Sequence, residues 1–190
     1  MNVFYEPLPK EIIVDDKKYK IKTDFRDWVM FIDMIKNETM TEEEKIENIE
    51  LWFIDKVPLN KNKMISELIN FLNLSSLNIS QKKHSPNNNE SNNRVIFSYQ
   101  YDAGYVISAF RETYRIDLLR IKYMHWWEFR MLFDGLPENC ELKKRIYYRA
   151  IDISKIKDKA EKNRIKKIQQ KISLPNSDMT DYGIANAFNL

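Results

Sequence analysis

Two histidines and one cysteine are the residues of this chain best suited to metal binding or acid–base chemistry. His125 and Glu128 are three positions apart, so on a helix they share one face, which is half of what a metal site or an acid–base pair requires. The other half is missing, because His84 lies in an Asn-rich stretch and Cys140 has no partner in a CxxC motif. We therefore predict no metal site, and we interpret His125 and Glu128 as a hydrogen-bonded pair at the edge of the core.

Glycines and carboxylates show no catalytic pattern either. The sequence has no GxGxxG, no phosphate loop ending in Lys-Ser or Lys-Thr and no GxSxG, and its three glycines are too few to build such loops. Four carboxylates are spread over separate turns and are better interpreted as helix caps and surface charge: Asp102, Asp117, Glu128 and Asp134. We predict no catalytic residues and no cofactor, and we do not expect an enzyme.

The chain is organised around an aromatic-rich stretch at residues 101–136. Val106, Phe110 and Tyr114 recur every four residues and predict a helix, which Asp102 is placed to cap. The following sequence HWWEFRMLFDGL predicts a second helix that ends near Gly135. We expect these two helices to pack as an aromatic-rich helical hairpin, which would supply much of the stability of a small domain.

The adjacent residues Trp126 and Trp127 are about 100° apart around a helix, so they cannot point at the same core position. One interpretation buries one ring and leaves the other for a partner surface, where tryptophan is favoured. The alternative buries both rings between two helix layers. The predicted partner-binding residues are Trp126, Trp127, Phe129, Arg130 and Phe133. The predicted core residues are Phe25, Trp28, Phe110, Tyr114 and His125.

The first part of the chain predicts a β-hairpin followed by helices. Residues 11–14 and 18–21 alternate well enough for two strands, with residues 15–17 as the turn. Thr23 is placed to cap the next helix, and Thr41 with Glu44 forms a capping box for the one after it. A third helix has five apolar residues on one side: Met64, Ile65, Leu68, Phe71 and Leu72.

Composition shifts divide the chain. Residues 75–94 are dense in Asn and Ser with almost nothing to bury, which predicts a flexible linker. The predicted organisation is an N-terminal β-hairpin plus helices at 1–74, the linker at 75–94, a helical part at 95–175 and a tail at 176–190, with a single domain overall as the alternative. The fold class is mainly α.

Bulk composition limits the classes of function. The chain has 190 residues, of which 43% are hydrophobic and 31% charged, as in ordinary globular proteins. One cysteine permits no internal disulfide, and the sequence shows neither a secretory start nor a long apolar run. We therefore expect a protein of the reducing cytoplasm that does not associate with membranes.

The basic charge is concentrated near the end of the chain. Residues 155–171 carry eight basic and two acidic side chains around a thin stripe of isoleucines, which predicts a mostly solvated helix. Such a helix could contact phosphate, and a DNA-binding regulator is one alternative function. Because the net charge is only +3 and no nucleic-acid-binding motif is present, we expect nucleic acid not to be the partner.

One ordered set of short motifs runs along most of the chain. The set comprises Leu8-Pro9, the hairpin IIVDDKKYKI, Thr23-Asp24-Phe25-Arg26, Tyr101-Asp102, Ala109-Phe110, Tyr114, Ile116-Asp117-Leu118, His125-Trp126-Trp127-Glu128-Phe129, Gly135-Leu136 and Tyr148-Arg149. In this order the motifs resemble the bacteriophage gene-product-fifteen family. The HWW block is its most specific part. Lys17 and Arg115 stand where such proteins often have glycine, so we expect these two turns to differ locally.

The resemblance implies a tail assembly chaperone of tailed phages and prophages of Gram-positive bacteria. Such proteins are encoded next to the tape-measure gene, so the expected partners are the tape-measure protein and, secondarily, the tail-tube protein. The expected location is the host cytoplasm during assembly, with the protein absent from the mature virion. A minor structural tail protein is a further alternative, and the sequence leaves the oligomeric state open.

Overall fold

The computed structural model describes residues 1–77 and 95–174. In these two stretches the regular structure is seven α-helices and one antiparallel β-hairpin, so the mainly-α prediction with an aromatic cluster is confirmed. In chain order the elements are β1 (Glu11–Val14), β2 (Lys17–Lys20), α1 (Phe25–Ile35), α2 (Glu42–Ile49), α3 (Lys61–Leu72), α4 (Tyr99–Tyr114), α5 (Trp126–Asp134), α6 (Glu141–Ala150) and α7 (Lys159–Ile172), with short 3₁₀ helices at Glu50–Trp52 and Ile153–Lys155. The predicted tail and all but residues 75–77 of the predicted linker lie outside the described residues.

The described residues form two compact units, and each unit combines segments that are separated in the sequence. The first unit contains residues 1–77 together with Lys122–Met131, and the second contains residues 95–121 and 132–174. The predicted helical part covers all of residues 95–175. The structure instead groups Lys122–Met131 with the first unit, because this segment bonds to α1, to α3 and to Pro9, two residues before the hairpin, as described below.

The β-hairpin turns over two residues rather than three. Asp15 and Asp16 have φ of 48° and 60°, and Val14 pairs directly with Lys17. Left-handed conformations at both central residues are typical of the type I′ turn, whose twist matches that of the flanking strands. Lys17 is therefore the first residue of β2 and not part of the turn. Ile12 and Val14 are buried, and β1 packs against α3.

Helix starts in the first unit are fixed by polar side chains. The capping box predicted for α2 is present, since Thr41 Oγ1 accepts from Glu44 N (3.2 Å) and Thr41 N donates to the Glu44 carboxylate (2.8 Å). For α1 the cap is Asp24, whose carboxylate accepts from Arg26 N at 3.0 Å. Thr23, the predicted cap, instead pairs through its hydroxyl with that of Tyr123 at 2.8 Å.

In the second unit, α4 begins at Tyr99, three residues before Asp102. Asp102 is 1% exposed and lies in the first turn of the helix, where it accepts from Ser98 N at 3.2 Å. The same carboxylate forms a bidentate ion pair with Arg149, with N–O distances of 2.7 and 3.0 Å. Asp102 is thus not the cap that the sequence analysis expected. It is half of a buried ion pair between α4 and α6.

Arg149 and Gln169 join the ends of the last two helices reciprocally. Arg149, near the end of α6, donates to the carbonyl of Ile172 at the end of α7 (2.7 Å) and to that of Ile96 (3.1 Å). Gln169 of α7 donates to the carbonyls of Tyr148 and Ile151 at the end of α6 (2.9 and 2.8 Å). Each helix therefore satisfies C-terminal carbonyls of the other, which an isolated helix leaves without donors.

Breaking the buried ion pair should cost far more stability than breaking an exposed one. We expect Arg149→Met to lower the free energy of unfolding by about 3–5 kcal/mol, because it leaves a buried carboxylate without its counter-charge. The double variant Asp102→Asn/Arg149→Met should recover part of that loss. Urea unfolding followed by circular dichroism measures both. Arg164→Met, which breaks the exposed pair with Glu161, is the control and should have only a small effect; equal losses for the two arginine variants would contradict the assignment.

Candidate partner-binding site

Four of the five residues predicted to bind a partner are buried. The exposed fractions are 0% for Trp126, 1% for Trp127, 1% for Phe129 and 9% for Phe133, while Arg130 is intermediate. Of the predicted core residues the structure buries Phe25, Trp28, Phe110 and His125. Tyr114 is partly exposed, and its hydroxyl donates to the Leu132 carbonyl at 2.9 Å.

The two adjacent tryptophans close the end of α3. Trp126 Nε1 donates to the carbonyl of Leu72 at 3.0 Å, and Trp127 Nε1 donates to the carbonyl of Phe71 at 2.8 Å. These are the last two residues of the helix, whose carbonyls have no partner within it. The angle between adjacent helix positions suggests, from the sequence alone, that one ring faces outward. In the structure the same angle lets the two indoles reach two successive carbonyls.

Aromatic contacts fill the space around the first turn of α5. The Trp126 ring stacks on Phe129 and Trp28, with centroids 5.8 and 6.3 Å apart, and Phe129 stacks on Phe25 at 4.7 Å. Trp127 lies 5.3 Å from Phe71. The sequence analysis expected α5 to pack with α4 as a hairpin. Within the first unit, its ring partners come from α1 and α3.

Backbone hydrogen bonds fix the segment that leads into α5. Phe25 N donates to the Met124 carbonyl at 2.9 Å, and Trp126 N donates to the Thr23 carbonyl at 2.7 Å, which forms a short antiparallel bridge between Asp24 and His125. The Asp24 carboxylate, besides capping α1, accepts from Met124 N at 3.2 Å. The start of α1 and the start of α5 are therefore held together by both backbone and side chain.

His125 is buried and uses both ring nitrogens. Nε2 lies 2.9 Å from the Pro9 carbonyl, and Nδ1 accepts from Trp127 N at 3.0 Å. An acceptor at Nδ1 requires the neutral ring with its proton on Nε2. Burial lowers the pKa of His125 below its usual 6.5, the hydrogen bond to Pro9 opposes this shift, and the charge of Lys10 adds to it. His125 links the chain before the hairpin to α5, and the hydrogen bond expected with Glu128 is replaced by these two contacts.

The burial of these rings changes the interpretation of the site. Of the two interpretations of the tryptophan pair, the structure matches the one that buries both rings. In the folded chain a partner has no access to Trp126, Trp127 or Phe129, so we assign them to the core. Arg130, whose guanidinium lies 5.5 Å from the centroid of the Trp126 ring, is the one residue of the predicted set with a substantially accessible side chain.

Among the described residues, the most exposed aromatic rings lie in a turn at Asn2–Glu6. Phe4 is 94% exposed and Tyr5 79%. The turn is closed by its own hydrogen bonds, since Glu6 N donates to the Asn2 carbonyl (2.9 Å), Asn2 N to the Glu6 carboxylate (2.6 Å) and Phe4 N to the Asn2 side chain (3.0 Å). This aromatic turn presents two large apolar side chains on a backbone that is already ordered. The sequence analysis missed it because FYEP has no helical or strand period.

Within residues 1–77 and 95–174, no group of three or more His, Cys, Asp or Glu side chains is arranged to hold a metal ion. In the same residues no helix is both long enough and apolar enough to cross a membrane.

Removing the indole N–H groups one at a time should separate their roles. We expect Trp126→Phe to lower the free energy of unfolding by about 1–3 kcal/mol, because the buried Leu72 carbonyl loses its donor. Trp127→Phe should cost less, because the Phe71 carbonyl also accepts from Leu74 N at 3.1 Å. Trp52→Phe is the matched control, since its indole bonds to Asp27 inside α1, where the helix supplies a donor as well. If Trp126→Phe matched this control, capping of α3 by the indole would be refuted.

Acidification should destabilise the first unit through His125. Because its pKa in the folded chain is lowered, the unfolded chain takes up a proton first as the pH falls below about 6.5. Stability should therefore be complete above that pH and decrease below it, by at most about 1.4 kcal/mol per pH unit for one proton. Urea midpoints measured across this range for the wild type and for His125→Gln test it. The variant should have a flatter profile, and identical slopes would contradict the assignment.

Comparisons with known proteins place the chain in a family. No curated protein matches it. No solved structure matches it either. The family model described as Bacteriophage Gp15 protein matches residues 4–174, which include Phe4 and Tyr5 of the aromatic turn, most of both compact units and the HWW block. The chain therefore belongs to the Bacteriophage Gp15 protein family.

Proposed function

We propose that this protein is a tail assembly chaperone that binds the tape-measure protein while the phage tail is built. The observation that carries the proposal is the family match over residues 4–174, which makes this a phage protein. The resemblance noted in the sequence adds the expectation that such proteins are encoded beside the tape-measure gene. A binding role without catalysis agrees with the lack of a catalytic motif in the sequence.

We assign the contact with the tape measure to the aromatic turn rather than to the buried HWW rings. Phe4 and Tyr5 are the kind of side chain that dominates protein interfaces, because they bury large areas with few rotatable bonds. The hydrogen bonds that close the turn mean that little backbone freedom is lost on binding. An apolar stripe along a partner helix would be a suitable surface for both rings.

A long helical tape measure offers many similar stripes, and repeated weak contacts along it would give avidity while each one stays easy to displace. In this proposal the protein acts in the host cytoplasm, gives way as tail-tube subunits polymerise, and is absent from the finished virion. Arg130 stays a predicted secondary contact.

Co-expression with the tape-measure protein tests the proposal. We expect the tape measure to be soluble with the wild-type protein and to precipitate when Phe4→Ser/Tyr5→Ser replaces it, because the variant has lost both apolar anchors. Tyr147→Ser changes an exposed tyrosine of the second unit and is the matched control, which should keep the tape measure soluble. Equal precipitation with and without the wild-type protein would refute chaperone activity. Equal solubility with the Phe4/Tyr5 variant would refute only the assigned surface.

A minor structural tail protein would belong to the same family, so a second measurement is needed. Mass spectrometry of purified virions separates the two roles. A chaperone should be absent from the virion or present far below one copy per tail-tube ring, whereas a stoichiometric amount would establish the structural role instead.

A further inference from the structure

The outermost ridge of α7 is positively charged. Ile165 and Gln169 are the buried residues of this helix. Lys167 is two positions from each of them, and Lys171 is two positions from Gln169, so about 200° of helix rotation directs both lysines away from the buried side. Both are exposed, and neither forms an ion pair with any residue in the described part of the chain. The lysines are four apart and therefore about 5–6 Å from each other along the ridge.

The outermost ridge of α2 carries the opposite charge with the same spacing. Lys45 and Ile49 are the buried residues of this helix. Glu43 and Glu47 each lie two positions from Lys45, so the same rotation directs them outward. Both are exposed, and within residues 1–77 and 95–174 neither is engaged in an ion pair, whereas Glu42 pairs with Lys45 and Glu44 closes the capping box.

We propose that the α7 ridge of one copy docks on the α2 ridge of a second copy. Two pairs of opposite charges at matching four-residue spacing can meet simultaneously when the helices lie side by side. A second copy fits this surface because each chain carries both halves of the contact, on different units. The net charge of +3 is small and does not oppose association. The contact is heterologous, with different surfaces on the two sides. It is independent of the tape-measure proposal and involves neither Phe4 nor Tyr5.

Charge reversal with rescue tests this contact. Sedimentation velocity over a protein concentration series at low salt should show self-association of the wild type. The variants Lys167→Glu/Lys171→Glu and Glu43→Lys/Glu47→Lys should each weaken it at least about tenfold, because like charges now face each other. An equimolar mixture of the two variants should recover association to within about threefold, since each supplies the complement that the other lacks.

A control variant, a salt series and a set of milder substitutions complete the experiment. Lys56→Glu/Lys122→Glu makes the same change of net charge at exposed sites elsewhere and should leave association unchanged. Raising the salt from about 0.1 to 1 M should weaken it, because the screening length falls from about 10 to 3 Å. If circular dichroism shows a reversed variant to be misfolded, Lys167→Gln/Lys171→Gln and Glu43→Gln/Glu47→Gln replace the reversals and should weaken association more modestly.

Four results would overturn the proposal. The first is a wild-type chain that stays monomeric at low salt across the series. The second is a control variant that weakens association as much as the ridge variants do. The third is a mixture of reversed variants that recovers no association. The fourth is a monomeric wild type that binds duplex DNA and loses this binding in Lys167→Glu/Lys171→Glu, which would assign the α7 ridge to nucleic acid.

Discussion

The carbonyls at the end of α3, which are buried and lack donors within the helix, are the constraint on which the first unit depends. α3 ends at Leu72 inside the aromatic core, so its last carbonyls need donors that cannot come from water. Trp126 and Trp127 supply them from a segment more than fifty residues later in the chain. The same segment holds the start of α1 through Thr23 and Asp24 and the approach to the hairpin through Pro9. One short return of the chain therefore fixes the positions of three elements.

The second unit solves a similar problem with charged and amide groups. Arg149 and Gln169 bond the carbonyls at the ends of α7 and α6, and Arg149 also neutralises buried Asp102. Glycine, the usual residue at helix ends, is scarce in this chain, with three in 190 residues. Leu74 follows α3 and Arg115 follows α4, and both have a left-handed backbone. This conformation costs about 1–2 kcal/mol for each residue that has a side chain. At the ends of α3, α6 and α7, side-chain donors from distant residues bond the carbonyls, and they make both units depend on contacts between remote parts of the sequence.

This dependence explains what the sequence could and could not predict. Local signals were sufficient for the hairpin, the capping box at Thr41 and Glu44, and the buried face of α3, because each depends on neighbours within a few residues. The return of Lys122–Met131 to the first unit was not predictable, since the acceptors of the tryptophans are backbone atoms, which leave no mark on the sequence. The local sequence likewise predicts a cap at Asp102, because its ion-pair partner is an arginine 47 residues away. The aromatic turn was overlooked because its rings follow no period.

A partner-binding role for this family member must therefore use surface that the HWW block stabilises but does not itself provide. The most direct test is hydrogen exchange of the indole N–H groups in the free chain, with the Trp126 and Trp127 resonances assigned from the corresponding single phenylalanine variants. If both rings close α3 in the core, the two signals should exchange only through unfolding of the first unit, with protection that decreases in step with its stability as urea is added. Rapid, urea-independent exchange of either signal would show that the ring is open to solvent and would contradict the assignment of the HWW block to the core.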